Sequence, residues 1–108
     1  MSELFKSTAN EIVSELRSGH ISPLDCLDAL EARIAAVDSK VNALPTLCFD
    51  RARAHAQALM KKPLGERGVL LGLPVPIKDL NDVAGVRSTQ GSPIFANHVP
   101  KISDVMVQ

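Results

Sequence analysis

Gly72-Leu73-Pro74-Val75-Pro76-Ile77-Lys78-Asp79 is the stretch on which the reading of this chain turns. It belongs to a run from Val69 to Leu80 that is apolar almost throughout, with Lys78 as its one charged residue before Asp79. Leu71, Leu73, Val75 and Ile77 alternate along it and predict a buried strand, Val69–Lys78. A lysine ending such a strand stands out, because Lys is among the residues least often buried. An ammonium in apolar surroundings is costly and tends to lose its proton. A neutral lysine near pH 7 is a usable general base. The competing reading is an ordinary strand-end lysine, its stem on apolar surface and its head in water or paired with Asp79.

Downstream, Asn81-Asp82 and Gly85 make a turn, and Thr89-Gln90-Gly91-Ser92-Pro93 forms a loop of small residues. Ser103-Asp104 reads as the cap of a further helix entered by Val105, Met106 and Val107. Upstream, Pro63 to Gly68 is a polar loop that follows a helix expected over Arg51–Lys62 and capped by Asp50. Ala52, Ala56, Leu59 and Met60 give that helix a small apolar face, while Lys61 and Lys62 suit the negative end of its dipole. Leu44–Phe49, interrupted by Pro45, reads as a second strand.

Two more helices open the chain. Leu4, Phe5, Ile12, Val13 and Leu16 recur at helical spacing and predict one amphipathic helix of about four turns, stopped by Gly19. Ser22, Pro23 and Asp25 mark the next start as a capping box with proline in the first turn, and Ile21 and Cys26 take the staple positions around it. Leu27, Leu30, Ile34 and Val37 form its stripe, and Asp38-Ser39-Lys40 is expected to end it.

Composition narrows the function classes. Hydrophobic residues make up 45% and charged residues 22% of the 108, which excludes a disordered or collagen-like chain. Twelve basic residues balance twelve acidic ones, so a basic stripe for nucleic acid is not expected. Phe5, Phe49 and Phe95 are the only aromatics, too few for base stacking. No apolar run approaches the roughly 18 residues of a membrane helix, and no signal peptide is read at the start. Cys26 and Cys48 lack metal-ligand spacing; one disulfide is possible, but two reduced, buried thiols in a cytoplasmic protein fit better, while His20, His55 and His98 are scattered.

The central stretch, followed by Asp82-Val83-Ala84-Gly85-Val86 and Thr89-Gln90-Gly91-Ser92, resembles the amidase signature family in order and spacing. Gly19-His20-Ile21-Ser22-Pro23 between two helices and Asn42-Ala43 leading a strand resemble its upstream pattern, so the resemblance covers nearly the whole chain. Pro76 and Val105 depart from the family's usual residues, and neither touches the lysine. The implied fold is α/β, a large mixed sheet covered by helices. This chain would supply its N-terminal portion, with about four helices and two to three strands, as part of one larger domain without an internal boundary.

Family members cleave or transfer amide nitrogen through a serine nucleophile, a second serine on a cis peptide bond and a lysine, without metal or organic cofactor. The resemblance implies that Lys78 is that lysine, with Asp79, Thr89 and Ser92 in support. Asp79 is expected to turn from Lys78 or to accept from backbone N–H groups, since a direct pair would oppose a base role. The family's serines lie in a double-glycine segment that this sequence does not contain, and neither Ser88 nor Ser92 substitutes for them. The implied partner is a small-molecule amide, with no membrane and no direct nucleic-acid contact. The isolated chain is expected to be inactive and either to dimerise or to need the missing C-terminal portion. Two alternatives remain, an amidotransferase subunit for tRNA-dependent amide transfer and a non-catalytic helical interaction module.

Overall fold

Three α-helices form where capping residues and apolar spacing agree, and short 3-10 turns and loops make up the rest of residues 3–108, the part described by a computed structural model. A 3-10 turn over Leu4–Lys6 precedes α1, Ala9–Ser18. The single four-turn helix expected here is therefore divided. The Thr8 hydroxyl accepts from Glu11 N–H at 3.3 Å and the Glu11 carboxylate accepts from Thr8 N–H at 2.7 Å, so side chains take the backbone groups that a continuous helix would use. Gly19, at φ 77°, closes α1 in the left-handed conformation that glycine adopts without steric cost.

Helix α2, Pro23–Val41, starts where the sequence marks it. Ser22 Oγ accepts from Asp25 N–H at 3.1 Å, and Asp25 accepts from Ser22 N–H at 2.8 Å. It runs past the expected Asp38-Ser39-Lys40 stop, because Asn42 takes the left-handed cap at φ 53° and donates to Asp38 O at 2.7 Å. Helix α3, Phe49–Met60, begins earlier than expected. Cys48 stands at its cap, a free thiol that is exposed there and not buried as expected, and Asp50 lies in the first turn, where its charge suits the dipole. The Arg67 guanidinium closes its other end, donating to Met60 O at 3.0 Å and Lys62 O at 2.9 Å.

The chain divides into a first unit that ends at Pro74 and a second, Val75–Gln108. The core of the first is Leu16, Ile21, Cys26 and Leu71, flanked by Ile12, Val13 and Leu73. Burial pushes the Cys26 thiol upward in pKa, and the Asp25 charge adds to it. Helices α2 and α3 pair, with Leu27 on one and Ala56 on the other buried, and Arg53 of α3 reaches Asp28 at 2.7 Å and also Glu31 on α2. Arg33 sits 4.2 Å from the centroid of the Phe5 ring.

No strand forms among the described residues, so the expected α/β sheet is not what this chain builds; it is helical. The apolar run breaks at a turn, Leu70–Leu73, closed by Leu73 N–H to Leu70 O at 2.9 Å. Leu71 at φ 54° and Gly72 at φ 98° give it the type I′ signature. Beyond it, Pro74 and Pro76 lack N–H groups at alternate positions, which strips the donors from one edge of any ladder. Val75 and Ile77 are exposed, not buried. The second expected strand fails as well: 42–48 is irregular, Phe49 joins α3 and Leu47 is exposed. Periodicity reports a face that can be buried, whereas a strand needs a neighbour to satisfy its backbone, and none is offered here.

Backbone pairs between loops hold the second unit. Gly85 N–H donates to Pro100 O and Ser88 N–H to His98 O, both at 2.9 Å, and Asp104 N–H donates to Asp82 O at 3.0 Å. The helix expected after Ser103-Asp104 is a 3-10 turn, Val105–Val107. No helix among the described residues is long and apolar enough to cross a membrane.

Candidate active site around Lys78

Lys78 opens a tight turn, its carbonyl accepting from Asn81 N–H at 2.9 Å. The side chain is exposed, so the burial expected from the apolar run is not found. The reason is the loss of the strand: without a sheet over it, the segment leading to Lys78 has no apolar cover. Lys78 makes no ion pair or side-chain hydrogen bond among the described residues.

Asp79 follows it and is fully engaged elsewhere. Its Oδ1 accepts from Thr89 N–H at 2.9 Å and its Oδ2 accepts from the Thr89 hydroxyl. Its carbonyl accepts from Gln90 N–H at 3.0 Å. The Thr89 hydroxyl, then the Thr89 N–H, hold the Asp79 carboxyl below the usual carboxylate range, and the Arg87 charge acts in the same direction.

Thr89 is buried, and its Oγ1 also accepts from Gly91 N–H at 3.3 Å. Ser92 N–H donates to Thr89 O at 2.9 Å, closing the Thr89–Ser92 turn. Gln90 at φ 56° and Gly91 at φ 69° give this turn type I′ geometry too. The Ser92 hydroxyl accepts from Ile94 N–H at 3.3 Å and caps the 3-10 turn Pro93–Phe95. The structure thus joins Asp79, Thr89 and Ser92 in one hydrogen-bonded loop and leaves the Lys78 side chain outside it.

Several supporting residues carry no distinctive pattern in the sequence. Asp104 Oδ2 accepts from Asp82 N–H at 3.0 Å and from Asn81 Nδ2 at 3.3 Å, and Ser103 Oγ accepts from Ala84 N–H at 2.8 Å. Ser103 and Asp104 read as a helix cap, but they tie down the loop that follows Lys78. The signal was the residue type, since Ser and Asp accept from N–H groups in loops as readily as at helix starts. Ser88 is buried, its hydroxyl donating to Val86 O at 3.2 Å, so it braces the loop. Among the described residues, no group of three His, Cys, Asp or Glu side chains is placed to hold a metal ion. An open apolar groove of about 290 Å³, lined by Leu27, Ala56, Leu59 and Pro74 among others, belongs to the first unit and does not include Lys78.

Comparison with known proteins bears on this arrangement. The Amidase family profile matches residues 25–108. The A subunit of glutamyl-tRNA(Gln) amidotransferase from Roseiflexus sp. (strain RS-1) is 40% identical over 101 residues, covering 93% of this chain and 21% of that protein. The protein of the same name from Geobacter sulfurreducens is 38% identical over 106 residues, covering 97% and 22%. That from Streptomyces coelicolor is 39% identical over 104 residues, covering 93% and 20%. The chain spans about a fifth of the length of the curated relatives it matches. No solved structure matches it significantly. With the lysine, the Asp79–Thr89 loop and the Thr89-Gln90-Gly91-Ser92 turn all inside the matched region, the chain belongs to the amidase family.

Proposed function

We propose that this chain is the N-terminal part of a larger amidase domain and that Lys78 is the general base of its amide-cleaving site. The observation that carries this is the arrangement after the lysine. The adjacent carboxylate, Asp79, spends both oxygens on Thr89, so Lys78 is left without an anionic partner among the described residues. A serine hydroxyl becomes an effective nucleophile when a base takes its proton. Neutral Lys78 would accept that proton through a bridging serine as the serine oxygen bonds to the amide carbon. The resulting ammonium would return the proton to the amine as the C–N bond breaks. Both serines would come from polypeptide beyond these 108 residues. That polypeptide would also supply the apolar cover that Lys78 lacks.

In the longer amidase polypeptide that carries this segment, Lys78→Ala should lower amide turnover by at least about a thousandfold, the order seen when one member of a catalytic triad is removed. Turnover within tenfold of the parent would defeat the reading. The 108-residue chain by itself should neither turn over a simple amide nor react with a fluorophosphonate probe.

A second reading is supported by the names of the relatives. Within the same fold, the chain would be part of the A subunit of a glutamyl-tRNA(Gln) amidotransferase that works with partner chains. Recovery of stable partner subunits with the longer polypeptide would favour it, and a freestanding, fully active polypeptide would favour the simple hydrolase.

A further inference from the structure

The loop of residues 79–92 is built more tightly than a connection needs. Three hydrogen bonds run between Asp79 and residues 89–90: Thr89 N–H to Oδ1 at 2.9 Å, the Thr89 hydroxyl to Oδ2, and Gln90 N–H to the Asp79 carbonyl at 3.0 Å. Thr89 is 8% exposed. Gln90 holds φ 56°, a conformation that L side chains avoid at a cost of about 1–2 kcal/mol. Such strain persists only where the surroundings over-determine it. Here it aims the Thr89 hydroxyl and the Thr89 and Gln90 N–H groups at one residue.

The charges of the second unit explain what this achieves. It contains three carboxylates, Asp79, Asp82 and Asp104. Asp82 accepts from Gln90 Nε2 at 3.3 Å and faces His98 Nε2 at 3.8 Å. Asp104 accepts from Asp82 N–H and Asn81 Nδ2. Arg87 acts on Asp79, and Lys101 is exposed. Asp79 is thus the one carboxylate next to Lys78 along the chain. Released from Thr89, it would be the first anion that the Lys78 ammonium meets, and an opposite charge favours the protonated lysine.

We propose that Thr89 is a positioning residue that holds the Asp79 carboxylate in the 79–92 loop and so keeps it from pairing with Lys78. This rests on the reading of Lys78 as the base, but its test is independent of turnover. The titration of Lys78 is followed by its 13Cε shift, and that of Asp79 by the Thr89 amide shift, in the 108-residue chain. In the parent chain the Thr89 amide should follow the Asp79 carboxyl. Thr89→Val keeps the side-chain shape and removes the hydroxyl donor to Oδ2, leaving the backbone donors in place. It should raise the proton affinity of Lys78 about threefold, the scale of an exposed ion pair. Thr89→Ser, and Asp79→Asn combined with Thr89→Val, should both return it to the parent value. Should Thr89→Val unfold the unit, Asp79→Glu tests the same clamp by displacing the carboxylate, with the same rise expected.

An unchanged Lys78 titration in a folded Thr89→Val or Asp79→Glu variant overturns the proposal. So does a rise that survives the double substitution, or a Thr89 amide blind to Asp79. A turnover-competent Lys78→Ala variant would instead remove the catalytic reading and leave this coupling standing.

Discussion

A methyl group on Gly72 would lie 2.5 Å from Pro23 Cγ and 2.8 Å from Pro23 Cβ, on a backbone held at φ 98°. Both obstacles act at once, since Pro23 is buried at the start of α2 and an L side chain resists that φ. Gly72→Ala should therefore destabilise the first unit by about 2–4 kcal/mol, combining left-handed strain with overpacking. A urea midpoint unchanged from the parent would contradict this. The neighbouring Leu71 shows the opposite balance. Its positive φ costs about 1–2 kcal/mol, but 5% exposure in the Leu16–Ile21–Cys26 core returns about 1.5–3 kcal/mol. Asp79 makes the second prediction at this scale. Its carboxyl is held low by Thr89, so its contribution is complete above the unfolded value of about 3.9 and is lost as pH falls through the lower folded value. Relative to their intrinsic exchange rates, the Thr89 and Gln90 amides should stay equally protected from neutral pH down to pH 5 and lose protection only in that acidic window; a loss of protection already near neutral pH would refute it. Little of this loop was legible in the sequence. Lys78, Asp79 and Thr89 stand out by type and spacing, but their pairing depends on a type I′ turn, and Gln90 is not a residue that announces one.

At the scale of elements, legibility follows how local the determinants are. Ser22, Pro23 and Asp25 specify the start of α2 within four residues, and the structure carries both reciprocal hydrogen bonds. Ser22→Ala removes one acceptor and leaves Asp25 N–H unpaired, and should cost about 1 kcal/mol. Ser22→Asp should recover most of that, and equal thermal midpoints for Ser22→Ala and the parent would show that the cap contributes nothing. The start of α1 was less legible although it uses the same device. Leu4 and Phe5 continue the apolar spacing across Ser7 and Thr8, and periodicity does not register a cap inside a stripe. The strands failed for a non-local reason. Nothing within Val69–Lys78 supplies the neighbour whose N–H and C=O groups would complete a ladder, and Leu71-Gly72 turns the chain before one is reached.

At the scale of the molecule, the exposed surface is the informative quantity. Much of it is apolar. Val69, Ile94, Ile102, Val105 and Met106 are each at least three-quarters exposed, and Val75, Leu80 and Val99 about half. Scattered exposed side chains are ordinary, but so many large ones in 108 residues exceed what a monomer leaves in water. Covering them would be favourable at about 25 cal/mol per Å². The relatives are about five times longer, and under the function proposed above further polypeptide of the same domain would supply that cover. Purified by itself, the 108-residue chain should bind the dye ANS at neutral pH. Its sedimentation coefficient should rise with concentration across the micromolar range. Ile94→Lys with Val105→Lys should reduce both effects without altering the helical signal of α1 to α3, because neither residue contributes to the Leu16–Ile21–Cys26–Leu71 core. A monodisperse, ANS-silent monomer at all concentrations would mean that this surface is tolerated in water, and the exposure would then say nothing about a missing cover.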